Sequence, residues 1–126
     1  MDQNLLVRNG HVLISALDEA EIPPRAALWV HTLDTDTWRL WIVPPASVQD
    51  KREFYRRVAE IVTRRRVELG GLDASDTEMV LDTHPAIRGL RKVLKIPGLG
   101  STVLSGTTFN GFYLPEALIL RVDFKG

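Results

Sequence analysis

The chain has no cysteine, which excludes disulfides and thiolate metal sites. That composition fits a reducing compartment, and a cytoplasmic location is the expectation. No apolar run approaches the roughly 20 residues that a membrane-spanning helix needs. The opening MDQNLLVRNG has an acid at position two and no basic flank before an apolar run, so it does not read as a secretory signal. Net charge is missing as well. Sixteen Lys and Arg residues balance sixteen Asp and Glu residues, which removes the bulk electrostatic argument for nucleic acid or an anionic membrane as partner. The histidines, His11, His31 and His84, form neither an HExxH motif nor a paired spacing, and no serine lies in a GxSxG context. Gly98-Leu99-Gly100-Ser101-Thr102 resembles a phosphate loop only superficially. Such a loop needs a strand before it and a helix after it, and here the order is reversed. No cofactor, metal site or catalytic residue is assigned on these grounds, and an enzyme is the less favoured class.

What is present is an ordinary globular composition, 44% apolar and 25% charged over 126 residues. It fits one domain spanning residues 1–126. The organising stretch is Ala26 to Val43, AALWVHTLDTDTWRLWIV, which holds all three tryptophans. Two runs rich in β-branched and aromatic residues flank Asp34-Thr35-Asp36-Thr37, a turn-forming segment, so the stretch reads as a β-hairpin. A turn centred on Thr35-Asp36 sets Leu33 against Trp38, His31 against Leu40 and Trp29 against Ile42. The opposite face then carries Leu28, Val30 and Thr32 with Val43, Trp41 and Arg39. Both faces are mostly apolar, whereas a hairpin with one wet face alternates more cleanly. A central pair, covered on both sides, is the inference. Pro44-Pro45 stops the second strand.

Around the hairpin, Leu5 to Ala20 has helical spacing, with Asp2 or Asn4 as cap and with Gly10 explained by close packing on a strand. Asp50 and Glu53 form a capping-box pattern ahead of a helix from Lys51 to Arg65, and Gly70-Gly71 is a stop signal. Thr77 to Leu81 reads as a short strand. His84-Pro85 then opens a helix running to Lys95 that buries Ile87, Leu90 and Leu94. The tail, Ser101 to Phe124, reads as a second hairpin. Its turn is placed at Pro115, with Asn110-Gly111 as a bulge. The expected fold is α+β: a largely antiparallel five-stranded sheet, made of two hairpins and one strand, packed with three helices in the order α-β-β-α-β-α-β-β.

Three functional readings follow. The leading one is a non-enzymatic interaction module that self-associates as a homodimer. Three modest helices would leave one sheet face uncovered, and Leu28, Val30, Trp41 and Val43 are the expected interface. The second is nucleic-acid or polyanion binding. Charge is zoned along the chain, and Arg88, Arg91, Lys92 and Lys95 lie in a segment with no acid between Ala86 and Lys95. The helix over residues 51–65 is basic too, but Glu53 and Glu60 interrupt its polar face and can pair with Arg57 and Arg64. The third reading is a small-ligand or enzymatic site near the tryptophans and His31. A deep pocket holding His31 and a carboxylate would favour it.

Overall fold

The computed structural model describes residues 2–124. Helix α1 (Gln3–Glu19) starts where the Asp2 carboxylate accepts the Asn4 backbone N–H, satisfying a donor that has no partner within the helix. Strands β1 (Ala26–Thr32) and β2 (Thr37–Val43) form the hairpin. Helix α2 (Lys51–Arg64) runs into a single further turn, α3 (Arg66–Leu69), which ends on left-handed Gly70. A 3-10 turn, Ala74–Asp76, leads into the short strand β3 (Thr77–Met79). Helix α4 (Pro85–Val93) follows, and β4 (Thr102–Phe109) and β5 (Phe112–Val122) close the chain.

The fold is α+β, and its sheet of two hairpins and one strand is ordered β3-β2-β1-β5-β4. The sheet is mixed rather than largely antiparallel, because β3 runs parallel to β2. The reason is the connection. β2 and β3 are joined through the helical segment α2–α3 rather than a tight turn, and a helical crossover returns the chain in the same direction.

The first hairpin pairs two residues out from the expected register. Trp29 lies opposite Leu40, His31 opposite Trp38 and Leu28 opposite Trp41. The turn is Leu33 to Asp36, and Asp36 adopts a left-handed φ of 52°. A shift of two residues preserves the faces. Trp29, Trp38, Leu40 and Ile42 therefore still share one side, and Leu28, Val30, Trp41 and Val43 the other.

The C-terminal turn lies at Asn110-Gly111, not at Pro115. Phe109 pairs with Phe112, and the two turn residues have φ of 51° and 84°. Two consecutive left-handed residues make the hairpin turn that matches strand twist, which is why Asn-Gly favours it. Pro115 sits inside β5, level with Gly106 in the register. The strands exchange faces there. Leu104 and Phe109, five residues apart, both lie on the α4 side. A φ of 59° at Gly106 and the missing N–H of Pro115 fit an interrupted ladder.

Two cores sandwich the sheet. On one side Leu13, Ile14 and Leu17 of α1 and Phe54, Val58 and Ile61 of α2 pack on Trp29, Leu40, Ile42 and Leu118. On the other, Ala86, Ile87 and Leu90 of α4 pack on Leu28, Val30, Trp41, Val43, Leu114 and Ile119. The expectation of one bare hairpin face is corrected accordingly. Leu28, Val30, Trp41 and Val43 are each at most 8% exposed, so they offer no free surface for a partner. One helix suffices on that side because the β4–β5 hairpin contributes Phe109, Phe112 and Leu114 to the same cluster.

Candidate functional site

Three places have the chemistry to bind something. The first is the end of the sheet. β4 is an edge strand, so one row of its N–H and C=O groups has no ladder partner among the described residues. From Ile96 to Pro115 no residue carries a charge. Natural edges are guarded by lysine, proline or inward charges, and β4 contains none of these. Val103 lies opposite Leu118, on the α1 side of the sheet. Leu118 is buried there, yet Val103 is 52% exposed. Tyr113 pairs with Thr108 beyond the face exchange and is 55% exposed. Its hydroxyl lies 3.5 Å from the position a Cβ on Gly106 would take. Val103, Ser105, Thr108 and Tyr113 thus form an exposed, uncharged strip beside the free edge. Helix α1 stops short of it, tied to the start of the strip where the His11 Nε2–H donates to Gly100 O over 2.7 Å.

The second place is α4 and the residues just after it, since the helix ends at Val93 rather than at Lys95 and Leu94 is already extended. Arg88, Arg91, Lys92 and Lys95 are exposed, and none has a carboxylate partner among the described residues. Arg88 and Lys92 line a cleft with Thr83, Pro85 and Asn110, and Arg91 extends the basic surface past Asp82. The Arg91 guanidinium lies 4.1 Å from the Phe124 ring centroid, a cation–π contact that holds it in place. The α2 surface is different. Arg56 bridges Glu53 and Glu60, rather than Arg57 and Arg64 pairing with them. This draws the Glu53 carboxyl below its ordinary pKa, first through the Arg56 hydrogen bond. Arg57 donates instead to Ala20 O, and Arg65 pairs with Glu19 and Glu68.

The third place is a cavity of about 130 Å³ between α1 and the hairpin, lined by Leu5, Leu6, Asn9, Trp29, Trp38 and Leu72, with Gly70, Gly71 and Asp76 completing its wall. His31 is not among these residues. Its ring stacks on Trp38 with centroids 4.9 Å apart, and its Nε2–H donates to Asp36 Oδ1 over 2.7 Å. The histidine thus fastens the turn of its own hairpin. Sequence reasoning found the tryptophans and missed Asn9. The missed signal was Asn9-Gly10 in mid-helix, an amide beside a residue that leaves room for a neighbouring element.

The His84 ring caps α4, its Nδ1 accepting the Ala86 N–H over 3.1 Å. It packs edge-on against Trp41 and Phe112. Burial lowers its pKa, against a smaller raising effect from Glu78. Among the described residues no cluster of three metal-ligating side chains occurs, and no helix is long and apolar enough to cross a membrane. Comparison with protein-family models, curated proteins and solved structures finds no match to this chain.

Proposed function

We propose that the protein is a cytoplasmic, non-enzymatic interaction module that works as a homodimer, with two copies joined along β4. The observation that carries this reading is the free β4 edge, uncharged over its whole length. A second copy fits it because an antiparallel pair of identical strands closes on itself about a two-fold axis. Edge pairing supplies main-chain hydrogen bonds, and flanking side chains supply specificity. Val103 and Tyr113, both more than half exposed, are the side chains placed to be covered. The zero formal charge of the chain leaves little long-range repulsion between copies.

Light scattering on a sizing column, for the wild type and for Val103→Lys with Thr108→Lys, tests this. Both substitutions fall at partly or fully exposed positions, where effects on monomer stability stay within about 0.5 kcal/mol. The wild type is expected to run as a dimer at tens of micromolar and the double variant as a folded monomer. A monomeric wild type, or a dimer indifferent to the two lysines, overturns the reading.

A second reading concerns Arg88, Arg91 and Lys92 of α4 with Lys95 just beyond its end, a basic surface with no carboxylate partner among the described residues. It would bind a polyanion such as nucleic acid. Affinity for a short labelled duplex would then fall steeply with salt, since each phosphate contact releases counterions. Arg88→Ala with Lys92→Ala would flatten that slope. No binding at low salt removes this reading.

A further inference from the structure

We infer that two copies joined along β4 set their α4 helices side by side, merging two basic surfaces into one site for the phosphate backbone of a nucleic-acid duplex. This rests on the β4-joined dimer proposed above. An antiparallel pair of identical strands in one continuous sheet has its two-fold axis perpendicular to that sheet. Each copy then keeps its faces, and both α4 helices lie on the same side. Helix α4 packs on β4 and β5, the last two strands of the sheet. Strands lie about 4.7–4.9 Å apart, so the β4–β5 midlines of two joined copies are two spacings apart, about 9–10 Å. That matches the roughly 8–10 Å between the axes of packed helices.

The flank of α4 nearer the edge suits such a contact. A Cβ on Gly89 would lie 2.7 Å from Phe109 Cβ, on β4. Val93, one turn further on, shares the Gly89 flank and is an apolar side chain 65% exposed. Arg91 lies on nearly the opposite flank. It meets Phe124, whose ring also faces Arg25, a residue bonded to Pro44 O beyond the end of β2. Arg88 and Lys92 line a cleft with Asn110, which follows β4, so these cations come near their twins across the axis. Asp82, in the adjoining cleft, has its charge matched by Arg25 at 3.2 Å. Two like-charged surfaces repel, and a polyanion that crosses the axis offsets the repulsion. A duplex fits better than a single strand. Its backbones present a two-fold symmetry of their own, and no aromatic ring lines either cleft to stack an unpaired base.

Two measurements test this. The chain has no cysteine, so one introduced thiol reports on its twin alone. With a bis-maleimide reaching about 10 Å, the distance between packed helices, Val93→Cys is expected to cross-link into dimers. Val67→Cys, 95% exposed on α3 and on the opposite sheet face, is expected not to. The second measurement is binding of a short labelled duplex, by wild type and by Thr108→Pro, against salt. Phe109 and Phe112 close the hairpin turn, so the Thr108 N–H of the next pair points outward. Proline removes that donor without changing charge. The folded Thr108→Pro monomer is expected to bind at least about a hundredfold more weakly at low salt, since linked sites gain about 10²–10⁴ in avidity. Its salt slope should be about half that of the wild type, as it meets half the phosphates. A monomeric wild type removes the dimer and this inference with it. A dimer whose Val93→Cys copies fail to cross-link leaves the dimer standing and overturns the inference alone. So does a dimer that binds no duplex, or a Thr108→Pro monomer that matches the wild type in affinity and slope.

Discussion

Gly89 shows how a single missing side chain sets the distance between two elements. A Cβ there would lie 2.7 Å from Phe109 Cβ and 2.4 Å from its Cδ1. The former atom is fixed to the β4 backbone and cannot swing away. Alanine suits a helix interior better than glycine by roughly 1 kcal/mol, yet Gly89→Ala should destabilise the protein by about 1–3 kcal/mol, the cost of overpacking. Urea unfolding checks it, and a stabilised variant would show that α4 can lift off β4. Gly10 is the companion case. A Cβ there would meet Leu120 Cδ1 at 2.4 Å and Trp29 Nε1 at 3.0 Å, the close strand packing inferred from sequence. That contact was legible because a glycine inside an amphipathic helix asks for a local reason. The Gly89 contact was not, since it depends on the face exchange at Gly106 and Pro115. His84 carries a pH prediction. Its folded pKa lies below the ordinary 6.5 because burial disfavours the charged ring, and its cap needs an unprotonated Nδ1. The contribution is therefore fully present above about pH 6.5 and is lost as the pH falls through the lowered folded value. His84→Asn, which keeps a capping side chain, should remove that acid-side loss. Denaturant midpoints between pH 7 and 5 measure it, and parallel curves for the two proteins would contradict the assignment.

Among the elements, the β1–β2 hairpin shows what a strand pattern specifies and what it does not. Alternation fixed the faces, since each side chain's side follows from its position alone. The pairing was off by two residues because the segment from Leu33 to Thr37 admits several turns. His31 selects one of them by bonding Asp36 across the turn. Trp29 is the hairpin's largest commitment to the core: 3% exposed, opposite Leu40, and hydrogen-bonded to α1. Trp29→Ala should cost about 3–5 kcal/mol, read by thermal or denaturant unfolding. A loss below about 1 kcal/mol, the size of a surface change, would contradict its burial. In the C-terminal hairpin, Asn110-Gly111 and Pro115 both carry turn signals, and the local sequence does not rank them. The structure does, because a turn at Asn110 keeps Phe109 and Phe112 together over α4.

Across the whole molecule, the arrangement follows from how helices were shared between two sheet faces. By length alone, three modest helices cover one face of a five-stranded sheet and leave the other bare. The chain manages by placing α1 and α2 on one side and curling its last hairpin into the α4 core on the other. Long-range ties hold this together. Arg121, 6% exposed, forms two 2.8 Å hydrogen bonds to the Asp18 carboxylate and donates to Gly98 O and Pro24 O. Its positive charge is thus compensated inside the fold. A contact between residues 103 apart leaves no periodic trace in a sequence, and neither does the Asn9 cavity, which five separate segments enclose. The same economy leaves the outer edge of β4 without a strand partner among the described residues, the feature on which the proposed dimer rests. The most direct measurement is amide hydrogen exchange along Thr102 to Phe109 at low and high protein concentration. Pairing of two copies predicts that the outward amides of β4, fast when dilute, become protected as concentration rises, while amides in β1 do not change. Outward β4 amides that exchange equally fast at both concentrations would contradict the account.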